Sequence, residues 1–309
     1  MKINMSFLNT LINGVSLGSM YALIALGYTM VYGIAKMLNF AHGDIIMIGG
    51  ISTLTIMQAL TENTGLSPMA SSLIALAAAV VICTVLGVVI EKVAYKPLRQ
   101  ASSLAVLITA IGMSYFLQNV ALLSFGSKKQ MISFEFLDKL SLKISDDLVI
   151  HGSTVINVAT MIVIMILLML FIRFTKAGTA MRAVSEDNGA AQLMGINVNG
   201  TISLTFAIGS ALAGIAGFMF LGSYGAIGAY SGTMPGIKAF TAAVFGGIGS
   251  IPGAMIGGVL LGIIENFARF YLSKMQLGSL VDPIVFLVLI LVLLIKPTGL
   301  LGKQIKEKV

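Results

Sequence analysis

Charge is what this sequence has least of. Asp, Glu, Lys and Arg make up 10% of its 309 residues, where a soluble domain carries about 25%, and the mean hydropathy is +0.99. That shortage excludes a soluble globular protein. Cysteine is nearly absent as well: Cys83 stands alone inside an apolar run, so neither an intrachain disulfide nor a thiolate metal cluster is available, and a small buried hydrophobe is the expected role. Tryptophan is missing while glycine numbers 34, a composition that suits helices packed through small faces, such as GSALAGIAG at Gly209 to Gly217. No Gly-rich phosphate loop with its Lys, no His or Cys cluster at metal spacing and no GxSxG elbow occurs, so no catalytic residue, metal or cofactor is expected. Any ATP chemistry must come from another polypeptide.

What is present is a series of long uncharged stretches. Asn188 to Ile237, Ala101 to Ser127 and Ser67 to Ile90 contain no charged residue, and each exceeds the roughly 20 residues that a helix needs to cross hydrocarbon. Cutting at charges and turn residues gives apolar runs near 7–32, 38–60, 68–90, 101–125, 153–172, 200–222, 236–250, 251–270 and 280–295. The expected fold is an all-α polytopic integral membrane protein of about eight to nine transmembrane helices, forming one domain over 1–309. Lys2 precedes a long apolar segment without a cleavage region, which reads as a first span rather than a signal peptide. The run from Gly236 to Ser250 would rise only about 22 Å as a helix, so it is either a broken span or a re-entrant segment.

The formal charge is +7, but the basic residues sit in short clusters between runs, as topology signals do, and imply no nucleic-acid partner. Lys36, the Lys92, Lys96 and Arg99 loop, the Arg173, Lys176 and Arg182 loop, and the tail with Lys296, Lys303, Lys306 and Lys308 fall on one side if the short run crosses. Nine crossings with the N-terminus outside are therefore expected. The loop near 126–152 balances Lys128, Lys129, Lys139 and Lys143 against Glu135, Asp138, Asp146 and Asp147, and goes outside.

Two segments have the Gly-interrupted character of helices broken near the midplane, where freed backbone lines a polar cavity. They are NFAHGDIIMIGG, with Asn39, His42, Asp44, Gly49 and Gly50, and FGGIGSIPGAMIGG, with Gly246, Gly247 and Gly249. Flexible bends or close packing would give the same pattern. For His42 and Asp44 the alternatives are a polar pathway lining or hinge anchor, and a cap at an interfacial helix start. Glu265 and Arg269, at i and i+4, read as a structural ion pair, and Asp282-Pro283 as the first turn of the last helix. Between two spans, Gly178 to Asn199 is polar at first and then reads as a short helix from about Asp187 to Met194, with Ser185 or Asp187 as cap and Gly195 as stop. Such a helix is either a handle for a cytoplasmic partner or a connector.

LINGVSLGSMYALIALGYTMVYGIAKMLNFAHGDIIMIGG, RAVSEDNGAAQLMGIN and KAFTAAVFGGIGSIPGAMIGG closely resemble the permeases of high-affinity branched-chain amino acid ABC transporters, in order and over nearly the whole chain. The resemblance implies a non-catalytic subunit of the bacterial cytoplasmic membrane that pairs with a second, related permease. It further implies two cytoplasmic ATPase subunits and an extracytoplasmic binding protein that delivers leucine, isoleucine or valine. The segment from Glu186 through Asp187, Asn188, Ala190 and Ala191 to Gly195 is similar to the coupling helix that seats in the ATPase. Where many importers have Glu-Ala-Ala, this chain has Gly189-Ala190-Ala191, and Glu186 and Asp187 are the candidates to supply the missing carboxylate. Urea-importer permeases are similar too, including an HG-acidic stretch like His42-Gly43-Asp44.

Two other classes compete. A secondary transporter coupled to protons or sodium would use His42, Asp44 and Glu265, but only Glu265 lies clearly within a run, and Arg269 can neutralise it. An intramembrane enzyme needs a convergent nucleophile and base, which His42 and His151, the only two histidines, do not provide.

Overall fold

The structure, a computed structural model, describes residues 2–134, 137, 140–145 and 148–302. Glu135, Asp138, Lys139, Asp146, Asp147 and the tail lysines Lys303, Lys306 and Lys308, used above for topology, lie outside the described residues. Eleven helices account for most of the described chain: α1 Lys2–Ala35, α2 His42–Thr64, α3 Pro68–Ile90, α4 Ser103–Phe125, α5 Gly152–Phe174, α6 Lys176–Glu186, α7 Asn188–Leu193, α8 Val198–Tyr224, α9 Thr233–Gly246, α10 Ile251–Lys274 and α11 Val281–Ile295. Eight of them are long and apolar enough to cross a membrane, α3 and α11 counted with their adjoining turns, whereas α6, α7 and α9 are not. Two small antiparallel ladders were not expected: β1 Gln130–Met131 pairs with β4 Ala226–Ile227, and β2 Leu142–Ser145 with β3 Leu148–Ile150.

The core is a seam between α1 and α10, which run antiparallel and close together. A Cβ on Gly18 would sit 2.6 Å from Val259 Cα, and one on Gly258 would collide with Ala22. Without a hydrophobic drive between helices in lipid, this backbone approach is what earns dispersion contact. α8 packs against the other flank of α1 and against α2 and α3.

Two helices start inside the bundle rather than at its surface. Lys36 takes a positive φ of 55° after α1, and the chain turns back so that α2 begins with His42 against Gly27, two turns before the end of α1, or about 11 Å inside that face. Beyond α8, residues 225–232 return from the opposite face and α9 starts at the same depth. There a Cβ on Gly43 would meet the Gly232 carbonyl oxygen at 2.6 Å and Gly236 Cα at 3.1 Å. The 14 residues of α9 then reach the face where α10 begins, and Leu300 N and Leu301 N donate to Phe245 O and Gly246 O, both at 2.9 Å.

The short run is thus a broken crossing, not a re-entrant loop: the chain enters at Tyr224 and leaves at Gly246. The end of α1, the turns after α3, the start of α8, the end of α5 and residues 296–302 share one face, and with them Lys36, Lys92, Lys96, Arg99, Arg173, Lys176, Arg182 and Lys296. That face is cytoplasmic by the positive-inside rule.

Candidate functional site

The N-termini of α2 and α9 meet at a cavity of about 150 Å³, room for about five waters at 30 Å³ each. Its polar wall is built by three elements. Gln118 of α4 donates through Nε2 to Asp44 Oδ1 at 2.9 Å and lies 3.1 Å from Ser114 Oγ and 3.3 Å from Thr233 Oγ1. Ile111, Tyr115 and Ile237 line the more exposed side. Asp44 is 1% exposed, so it does not sit at an interface. Neither is it, nor His42, the N-cap of α2: that position belongs to Ala41, without a side-chain cap. A carboxylate at such depth is costly, and two helix N-termini, each with partial positive charge, lower that cost.

The other residues of the first Gly-interrupted segment have separate surroundings. His42 is buried with its ring edge-on to Tyr28, centroids 4.7 Å apart, outside the cavity wall. Asn39 Oδ1 accepts from Tyr95 OH at 2.9 Å. Gly49 and Gly50 lie within unbroken α2 and let α8 approach at Gly214 and Gly217, so they pack rather than bend. In the second segment, Gly246, Gly247 and Gly249 form the turn between α9 and α10 at the cytoplasmic face, with φ of 108° at Gly247 and 92° at Gly249. The mid-depth break lies upstream, at 225–232, where Gly232 and Gly236 pack directly on Gly43 of α2.

Sequence reasoning missed Lys238. On α9 it is 5% exposed, and Nζ lies 2.7 Å from both Glu265 Oε1 and Asp282 Oδ1. Glu265, fully buried, also faces Arg269 Nη2 at 2.8 Å and accepts from Tyr21 OH at 2.9 Å. Two cations and two carboxylates balance, and they tie α1, α9, α10 and α11 together. A lone Lys in an otherwise apolar run, followed by a lone Glu in the next, was the available signal.

On the cytoplasmic face, Asp187 caps α7: its Oδ1 accepts from Gly189 N at 2.7 Å and Ala190 N at 3.0 Å. Gly195, at φ 80°, ends the turn as a left-handed stop. Ala191 is buried, whereas Leu193 and Met194 are 90% and 82% exposed. Glu186 and Asn188 are exposed. The preceding polar stretch is itself a helix, α6, capped by Thr175 Oγ1 on Gly178 N at 2.9 Å and held by buried Met181 and Val184. After α7, Asn199 and Ser203 in the first turns of α8 meet a clamp around the buried Glu91. Arg99 bonds both Asn199 and Glu91, and Ser203 Oγ donates to Glu91 Oε2 at 2.6 Å. Glu91 opens the π-turn Glu91–Tyr95, a helix irregularity common at functional positions, and Tyr95 leads back to Asn39.

Comparison with known proteins gives this arrangement a family. The sequence profile for the permease component of branched-chain amino acid transport systems matches residues 10–295. The high-affinity branched-chain amino acid transport system permease protein LivH of Escherichia coli strain K12 is 47% identical, with 98% of each chain covered. BraD of Pseudomonas aeruginosa, described in the same words, is 45% identical over 98% of each chain. A probable branched-chain amino acid transport permease protein LivH of Methanocaldococcus jannaschii is 31% identical over 94% of this chain and 90% of its own. This multi-pass membrane protein belongs to the family of branched-chain amino acid transport permease components.

Proposed function

We propose that residues 1–309 form one integral permease domain that imports leucine, isoleucine and valine, building the translocation pathway with a second, related permease. Two cytoplasmic ATPase subunits dock beneath the pair and supply the energy, and an extracytoplasmic amino-acid-binding protein brings the cargo to the outer face. The cargo rests on what the full-length relatives are named for. The role rests on one observation of this chain: a capped helix on the basic face that presents Leu193 and Met194 to solvent. Two adjacent apolar side chains left exposed on a capped helix outside the spans fit a contact with a partner protein. Glu186 and Asn188 rim the contact, while the Asp187 carboxylate serves the helix itself. From α7 the Glu91 clamp and the Tyr95 to Asn39 bond run to the segment that starts α2, a physical link between docking helix and cavity.

Uptake of labelled leucine and of labelled urea, in cells with and without this chain and with ATP depleted in a matched set, tests the proposal. Loss of ATP-dependent leucine uptake on deletion is the expected result. Loss of urea uptake instead would overturn the cargo, and chain-dependent uptake that persists without ATP on an ion gradient would replace the mechanism with secondary transport.

A further inference from the structure

A buried carboxylate with nothing cationic beside it needs a reason. Lys238 answers Glu265 and Arg99 answers Glu91, but Asp44, at 1% exposure, has no cationic partner among the described residues. Its hydrogen-bond partners are neutral, the amide of Gln118 and the hydroxyl of Ser114, and no basic side chain lines the cavity that it faces. The α2 dipole eases the charge, yet half an elementary charge spread over a helix end does not replace a counter-ion.

From this we infer that Asp44 receives the α-ammonium group of the transported amino acid as the cargo passes mid-depth. An ammonium has three N–H donors and a full charge, which is what an unanswered buried carboxylate lacks. The opposite end of a zwitterion is served in the same space. α2 and α9 both begin here without a side-chain cap, so the positive ends of two helix dipoles and the Thr233 hydroxyl are turned towards a cargo carboxylate. Ile111 and Ile237 supply apolar wall for an aliphatic side chain. A lone cation or a lone anion would meet one favourable pole and one unfavourable pole; a neutral zwitterion meets two favourable ones. Asp44 thus orients the cargo without selecting between leucine, isoleucine and valine. The inference rests on the import of amino acids proposed above.

The test uses the full transporter, with second permease, ATPases and binding protein, reconstituted in proteoliposomes. Labelled leucine uptake and ATP hydrolysis stimulated by the loaded binding protein are read together. Asp44→Asn keeps the size and an acceptor for Gln118 but removes the charge. We expect at least a tenfold loss of uptake with stimulated hydrolysis within twofold of wild type, and partial recovery of uptake in Asp44→Glu. Uptake within twofold of wild type in Asp44→Asn would overturn the inference. So would a parallel loss of uptake and hydrolysis in an assembled complex, which marks a purely structural carboxylate. If Asp44→Asn does not assemble, Asp44→Glu alone decides: it moves the carboxylate by one methylene, and an unchanged KM and kcat for leucine would refute a placed ammonium contact. Absence of leucine uptake by the wild-type complex would remove the amino-acid reading itself, and this inference with it.

Discussion

Replacing Lys238 by Met is the sharpest perturbation of the fold. The side-chain length is nearly kept, so the loss is electrostatic. At 2.7 Å from Glu265 the gross attraction is about 6 kcal/mol at an effective dielectric near 20, largely offset by the desolvation of both groups. What matters is the carboxylate left behind. Removing one partner of a buried pair costs about 3–5 kcal/mol. Arg269 and the Tyr21 hydroxyl stay beside Glu265, and Asp282 is 42% exposed and regains water, so the low end, about 3 kcal/mol, applies. At roughly 2–4 °C per kcal/mol for a domain of this order, the purified complex in nanodiscs should lose roughly 6–12 °C in Tm. Lys238→Met with Glu265→Gln removes both charges, and this double variant should recover more than half of the loss. A single variant as stable as wild type, or a double variant as poor as the sum of the singles, would refute the view that this network clamps α9 to α10.

Leu193→Asp with Met194→Asp should abolish co-purification of the ATPases while leaving the circular dichroism of the permease unchanged; retained co-purification would count against α7 as the docking helix. Asp187→Ala removes the cap of α7 at a cost of about 1 kcal/mol and should weaken ATPase association several-fold, whereas Asp187→Asn should keep most of it, as a pull-down titration would show. Gly18→Val puts a branched side chain where a Cβ already lies 2.6 Å from Val259 Cα, and overpacking of about 1–3 kcal/mol or more should appear as reduced yield of folded protein in membranes. Normal yield would mean that the α1 and α10 seam tolerates separation.

The spans were legible because hydrocarbon leaves the backbone little choice: an uncharged run such as Ser67 to Ile90 has to be helical to satisfy its own hydrogen bonds. Local chemistry was legible too, in the Asp187 cap, the Gly195 stop and the i, i+4 spacing of Glu265 and Arg269. What the sequence concealed was set by partners distant in the chain. Nothing near residue 232 announces that α9 starts at mid-depth, since that is decided by Gly43 on α2. Gln130–Met131 pair with Ala226–Ile227, strands too short to have a pattern. Lys238 reads as a run boundary until α10 and α11 bring Glu265 and Asp282 to it. The glycines at 246, 247 and 249 mark the turn between α9 and α10 and not the expected break near the midplane, because a loop at the membrane face and a broken helix inside it use the same residue.

The central claim is that the cavity between the starts of α2 and α9 lies on the translocation pathway, and thiol accessibility tests it most directly. On a Cys83→Ala background, Ser114→Cys in the assembled transporter is exposed to a membrane-impermeant thiol reagent from each side, with and without ATP and cargo. Modification from the outside is expected in one nucleotide state, protection in the other, and slower modification when leucine is being delivered. A thiol that reacts from neither side in any state would place the pathway elsewhere.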